Sequence, residues 1–196
     1  MYMKSHFTKI DHLPCLDLET ELHRLVANHD IYWVNNEQIC LNTSRKNSND
    51  FSEGAGSLTY DWTKKITTTN DIGQEEIEVP KRDILLSEKD FQFLCSVFKG
   101  TLFETVYTEL QKYFVLGRVR IMRSRPRSCL SWHNDFEKRL HYPITTQEGC
   151  FMVIDDEVQH LPKYQWCFTD TTIKHTAVNA SKQERIHLVA CILGEK

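Results

Sequence analysis

The chain has 196 residues, 40% of them hydrophobic, 26% charged and 11% aromatic, with a formal charge of −3. That is length for one packed domain with a substantial core, and too little for two independent ones. The composition excludes a disordered chain, and the charge gives no general reason to expect binding to nucleic acid or to an anionic membrane.

The seven cysteines, at 15, 40, 95, 129, 150, 167 and 191, form no CxxC pair. They read as reduced, mostly buried small apolar residues, which favours the cytoplasm. Met1 to Asp17 carries His, Lys and Asp without the apolar run of a signal peptide, and no later stretch approaches the ~20 residues of a membrane span.

In chain order, Asp17 to Asn28 places Leu18, Leu22, Leu25 and Val26 on one face, with carboxylates in the first turn, and predicts a short amphipathic helix. IYWV at 31–34 and QICLNT at 38–43 predict strands. Ser44 to Gly56, rich in Ser, Asn, Asp and Gly, predicts a long mobile loop. SLTYDW at 57–62 allows one strand, and the section up to Pro80 carries no assignable pattern. Ser87 with Asp90 three residues later resembles a helix N-cap, followed by Phe91, Leu94, Cys95 and Phe98 at helical spacing. A second helix is predicted over Leu102 to Tyr113.

From Gly117 onward the chain consists of short runs rich in β-branched and aromatic residues: RVRIM, SCLSWHND, RLHYPI, CFMVID, QWCFTD, KHTAV and RIHLVACIL. Turn residues separate them, which argues for a sandwich or barrel. The expected fold is α+β, one domain over 1–196. A helical and mixed layer (1–115) would pack on a C-terminal double-stranded β-helix, a cupin-like jelly roll (116–196).

His133 and Asp135, two residues apart in a strand or strand end, project from one face and can touch one metal. A third ligand must come from elsewhere, with His141, His160, His175 and His187 as candidates. Two histidines and a carboxylate that leave open positions form the facial triad of oxygen-activating Fe(II) sites. HxD alone is a weak signal. The arginines at 118, 120, 123, 125 and 127 read first as a solvated basic face, with the alternative that one or two enter the cavity and meet a carboxylate or phosphate. Trp132, Phe136 and Trp166 flank the motif and suit either the core or substrate packing.

The series His133-Asn134-Asp135, Arg139-Leu140-His141, Asp170, His175, Asn179 and Arg185-Ile186-His187-Leu188 resembles the aspartyl/asparaginyl β-hydroxylase family of Fe(II)/2-oxoglutarate oxygenases. The resemblance covers about a third of the chain. It implies His175 as the distal ligand and Arg185 as the partner of the 2-oxoglutarate C5 carboxylate, a role that suits the planar fork of a guanidinium. It also implies Arg139 and His141 as further co-substrate contacts. Asp170 and Asn179 read as residues that order the loop around His175 through hydrogen bonds. The best-known animal members have a small residue where this chain has Asp135. With the carboxylate present the iron has three protein ligands and no vacancy for a halide, which favours hydroxylation over halogenation.

The implied activity is hydroxylation of an unactivated C–H bond by molecular oxygen, with Fe(II) and 2-oxoglutarate. The substrate would be an Asp or Asn side chain in a peptide, or a free amino acid. Two other readings use the same residues: a cupin-like metal-dependent isomerase or hydrolase, and a non-catalytic sensor of an organic acid.

Overall fold

The computed structural model describes residues 5–35, 37–61 and 64–196. The chain opens with a strand, β1 (Phe7–Ile10), whose short polar-flanked sequence gave no strand signal. Helix α1 (Leu18–Ala27) follows. The Asp17 side chain accepts the Thr20 N–H at its start, Leu18, Leu22 and Leu25 are buried along one face, and Asn28 closes the last turn. IYWV does not form the predicted strand. The Ile31 N–H returns to the Leu25 carbonyl, and only Val34 pairs, with Gln38 across a tight turn. Ile31 is buried, so these apolar residues complete the core from an irregular segment.

QICLNT divides at Leu41 into β2 (Gln38–Cys40) and β3 (Asn42–Thr43). The 44–56 loop has no regular element but is tied down. Glu53 accepts from the Thr43 hydroxyl at 2.6 Å and the Ser44 N–H at 2.7 Å, and Phe51 and Ala55 are buried. In 57–62 only an isolated Tyr60–Lys81 bridge forms, and Trp62 lies outside the described residues. The region without a sequence pattern carries an exposed hairpin, β4 (Ile66–Thr69) with β5 (Glu75–Glu78).

Ser87 and Asp90 do form a reciprocal capping box, but only one 3₁₀ turn follows, Glu88–Asp90. The predicted helix is replaced by β6 (Phe93–Leu94), which pairs with β3, and a second 3₁₀ turn. Phe91, Cys95 and Phe98 are buried as their spacing demanded, from a non-helical segment. Helix α2 (Leu102–Tyr113) is as predicted, capped by Thr101.

The remaining strands are β7 (Phe114–Ser124), β8 (Ser128–Cys129), β9 (Lys138–Thr145), β10 (Cys150–Ile154), β11 (Glu157–Gln159), β12 (Trp166–Thr169), β13 (His175–Asn179) and β14 (Arg185–Glu195). They fall into two antiparallel sheets, ordered β1-β12-β9-β14-β7-β2 and β11-β10-β13-β8. From β7 to β14 the chain passes back and forth between them, with only the β10–β11 hairpin staying within one. That is a double-stranded β-helix. The first part of the chain is woven into it, since β1 and β2 are the outer strands of the larger sheet.

Period-two alternation divides the larger sheet into two chemistries. Val119 and Ile121 on β7, Leu140, Tyr142 and Ile144 on β9, and Ile186, Leu188, Ala190 and Ile192 on β14 join α1 and α2 in one apolar cluster. The intervening residues, Arg118, Arg120 and Met122, Arg139 and His141, and Arg185 and Val189, line a cavity between the two sheets. Both faces of β14 are covered, which is why its sequence reads as a nearly continuous apolar run.

Candidate functional site

The cavity has a volume of about 630 Å³ and is roofed by residues 56–59 and 86–89 of the first half of the chain. His133, Asp135 and His175 line it together, each offering one ligand atom, all within 4.8 Å of one another. Backbone pairing brings them there. His133 and His175 exchange both N–H···O bonds, at 3.1 and 2.9 Å, and the Asp135 N–H donates to the Thr171 carbonyl. The Asn134 side chain donates to the Thr172 carbonyl at 2.8 Å. The β8–β9 connection is thereby stitched to the β12–β13 loop, and residues separated in sequence meet at a fixed register.

Each imidazole is also oriented. His133 Nδ1 lies 2.7 Å from the Ser131 carbonyl and His175 Nδ1 lies 2.9 Å from the Ile173 carbonyl. A carbonyl only accepts, so Nδ1 carries the proton in both rings and both Nε2 lone pairs are left for a cation. Burial holds His175 below the usual imidazole pKa, which keeps it neutral and able to ligate. Asp135 Oδ2 lies 3.8 Å from His175 Nε2 and 3.3 Å from Arg139 Nε. Two imidazoles turned with Nε2 away from their carbonyl partners, together with a carboxylate, suit a divalent transition metal with open positions.

The cavity's arginines are in two different states. Glu88, on the roof, pairs with Arg118 at 2.9 Å and with Arg139 at 3.4 Å. Although burial alone would raise its pKa, those two cations outweigh it and hold the Glu88 carboxyl down at about 2. Arg118 also donates to the carbonyls of Gly54 and Gly56, at 2.8 and 2.9 Å. Arg185 is buried, yet its Nε and Nη1 have no hydrogen-bond partner, and burial pushes its pKa down to about 10. Arg120 has the same deficit at Nε. His141 and His187 face each other with Nδ1 atoms 3.4 Å apart, both neutral through burial, and their Nε2 atoms are unpartnered.

Residues 85–193 match the family model described as Aspartyl/Asparaginyl beta-hydroxylase. The chain belongs to the aspartyl/asparaginyl β-hydroxylase family. Among curated proteins this family member is 30% identical over 76 residues to the L-proline cis-4-hydroxylase of Rhizobium meliloti (strain 1021). That match takes in 36% of the chain and 27% of the relative, so the chain spans about a quarter of that protein's length. Among solved structures it is similar to an oxidoreductase of the 2OG-Fe(II) oxygenase family from Burkholderia pseudomallei, with TM-score 0.47, 12% identity, and 95% and 83% of the two chains covered. A viral collagen prolyl hydroxylase from Paramecium bursaria Chlorella virus-1, in its 2OG complex, aligns with TM-score 0.43 and 10% identity over 96% and 95% of the two chains.

In this β-hydroxylase-family chain all six residues singled out from sequence, His133, Asp135, Arg139, His141, His175 and Arg185, line the one cavity. Arg139 does so with its fork already engaged by Asp135 and Glu88. Asp170 accepts from the Thr172 hydroxyl and orders the loop before His175. Asn179 works further away, with its amide donating to the Ser124, Arg125 and Gln183 carbonyls, and so fixes the turns leading into β8 and β14. The basic run is not one solvated face. Arg118 and Arg120 enter the cavity, Arg123 stacks on Trp33 at 4.4 Å, and Arg125 and Arg127 are exposed. Trp166 is core, while Phe136 is 98% exposed at the cavity mouth. Glu88 was missed as a site residue. Its only sequence signal was its place inside the capping turn, which says nothing of the arginines it meets. Among the described residues no helix is long and apolar enough to cross a membrane.

Proposed function

We propose that the chain is an Fe(II)- and 2-oxoglutarate-dependent oxygenase that hydroxylates an unactivated C–H bond, with His133, Asp135 and His175 as the iron ligands. One observation carries this reading: a ligand-ready His/Asp/His trio and an uncompensated buried guanidinium, Arg185, face the same cavity. The donor set fits Fe(II), and the orphaned donors of Arg185, Nε and Nη1, leave a buried guanidinium free to receive a carboxylate. When bound, iron and 2-oxoglutarate together supply the oxidising power for oxygen insertion.

The chain's own residues then do four things. His133 and His175 present lone pairs fixed by the Ser131 and Ile173 carbonyls. Arg139 holds the Asp135 carboxylate in place through its Nε. Arg185 anchors the distal carboxylate of the co-substrate, and His141 presents its free Nε2 to the same cavity. The roof residues limit the entry of water, which strengthens each of these electrostatic contacts.

An Asp or Asn side chain, in a peptide or as the free amino acid, is the substrate class that family membership supports. The likeness to an L-proline hydroxylase adds other free amino acids. The whole chain is taken as one oxygenase domain. Its seven free cysteines suit a reducing compartment such as the cytoplasm. The unsatisfied Arg185 weighs against an isomerase or hydrolase that needs no organic acid, and the open metal positions weigh against a sensor.

The deciding experiment supplies Fe(II), 2-oxoglutarate and oxygen and measures succinate. Succinate release above a no-enzyme control, abolished in His175→Ala, is the expected result. Absence of turnover from protein that binds both iron and 2-oxoglutarate would favour the sensor.

A further inference from the structure

We propose that Arg120 receives a carboxylate of the molecule to be hydroxylated, so that the cavity accepts two acids at once: 2-oxoglutarate on Arg185 and a second, largely apolar carboxylic acid on Arg120. The inference rests on the oxygenase reading above and deepens it.

The argument is one of charge matching. Arg118, Arg120, Arg139 and Arg185 line the cavity. Two of them, Arg118 and Arg139, are matched by Glu88, and Arg139 also by Asp135. Among the described residues Arg120 and Arg185 make no ion pair, and each keeps a buried Nε without an acceptor. The polar contact Arg120 does make is from Nη1 to Gln38 Oε1 at 3.0 Å, a neutral acceptor that the Gly56 N–H shares. A half-buried guanidinium with a buried donor left in this state is costly, and an arriving anion relieves the cost. Burial together with the neighbouring Arg118 pushes its pKa down to about 10, as expected for a cation that lacks its counter-charge.

One diacid that spans Arg185 and the metal trio does not also serve Arg120. Arg185 lies opposite Ser124 and Arg120 opposite Val189 in the β7–β14 ladder. They are four residues apart along β14, on the order of 13 Å at the usual strand rise. A five-carbon diacid with one carboxylate on Arg185 and the other at the metal trio has no third carboxylate for Arg120. Met122 and Val189 line the cavity beside Arg120, and Leu58 and Leu86 line its roof. Glu88 is occupied by two arginines, and Glu137, which lines the same cavity and makes no ion pair among the described residues, is the carboxylate left for the ammonium group of a free amino acid. The second ligand is therefore recognised as a carboxylate with an apolar body. The α-carboxylate of a free amino acid and the C-terminal carboxylate of a peptide share this chemistry.

The test uses the full chain loaded with Mn(II) and 2-oxoglutarate, without turnover. Isothermal titration is carried out with the apolar free amino acids including L-proline, with their amides, and with tripeptides ending in the same residues. At least one free acid or tripeptide should bind, identifying the source, and its amide should bind at least tenfold more weakly. Arg120→Met should cost that acid tenfold or more while leaving 2-oxoglutarate affinity within about threefold of wild type. Arg120→Lys should recover part of the loss, because an ammonium keeps the charge without the fork. If Arg120→Met fails to fold by circular dichroism, Arg120→Lys carries the test, with a severalfold loss for the acid and none for the amide. Equal binding of acid and amide, undiminished acid binding in the folded variant, loss of 2-oxoglutarate binding in Arg120→Met, or no acid binding to wild type would each overturn the proposal. Retention of 2-oxoglutarate by Arg185→Met would instead overturn the oxygenase reading.

Discussion

Replacing Arg185 with methionine is expected to stabilise the ligand-free protein and to abolish its response to 2-oxoglutarate. Burial pushes the Arg185 pKa down to about 10. A displacement of that size from the ordinary arginine value is on the order of 3 kcal/mol. Its sign follows from the charge: the folded state disfavours the protonated form, so the cost is present in full at neutral pH and fades only as pH rises through the folded value. Methionine keeps much of the length and apolar stem and removes the uncompensated charge, which should return about 1–3 kcal/mol, or roughly 2–10 °C for a chain of this size. In wild type, 2-oxoglutarate at a hundredfold excess over its Kd adds about 2.7 kcal/mol, worth roughly 5–10 °C. The variant lacks the charge-assisted contact to the ligand carboxylate, worth ~1.5–3 kcal/mol, so its Kd should rise roughly ten- to two-hundredfold. At a hundredfold loss the same ligand concentration adds only about 0.4 kcal/mol. Thermal unfolding with and without 2-oxoglutarate, in the presence of Mn(II), reads both effects. A variant less stable than wild type that keeps the full ligand response would refute the reasoning at both points.

Asp135→Ala should weaken metal affinity and stop succinate formation, leaving at most a remnant because His133 and His175 stay in place. Full activity with unchanged Mn(II) binding would remove Asp135 from the ligand set. Glu88, held at about 2 by Arg118 and Arg139, has its carboxyl pKa depressed on folding. Its contribution is therefore present above the ordinary glutamate range and lost as pH falls towards 2. Glu88→Gln should unfold at lower temperature than wild type at pH 7, with the gap narrowing in an acid titration, and a constant gap would contradict the assignment. Fully buried Asn42 donates to the Phe91 and Gly117 carbonyls, at 2.7 and 2.8 Å, and accepts the Val119 N–H. Asn42→Leu strands those groups and should cost about 3–5 kcal/mol in denaturant unfolding; a loss under 1 kcal/mol would mean water takes its place.

The parts of the fold legible in sequence were those whose signals are local. Both helices announced themselves through period and caps, and the run from Arg118 to Leu193 through alternation and turn residues. IYWV and the segment after Ser87 misled because burial of Ile31, Phe91, Cys95 and Phe98 comes from irregular chain, and an apolar period records burial rather than backbone shape. β1 was invisible because Phe7 is its only buried residue, and its pairing with β12 is decided by partners far away in sequence. The candidate site was legible as residue types in order, since His133, Asp135, His175 and Arg185 carry their chemistry on their face. What could not be read was which arginines are matched. That depends on Glu88, which reaches Arg118 and Arg139 across distances of 30 and 51 residues.

The β4–β5 hairpin lies between the two roof segments in sequence, and all eight of its strand residues are exposed. It pairs only within itself among the described residues. The roof over the cavity is thus the base of an outward loop, while the metal trio is fixed by pairing inside the barrel. Length and sequence can vary at the hairpin without disturbing the His/Asp/His trio, much as insertions are tolerated at exposed loop tips. A protein built this way can be fitted to new ligands by grafting between Leu58 and Leu86, a boundary that an engineer can cut along without retuning the chemistry beneath.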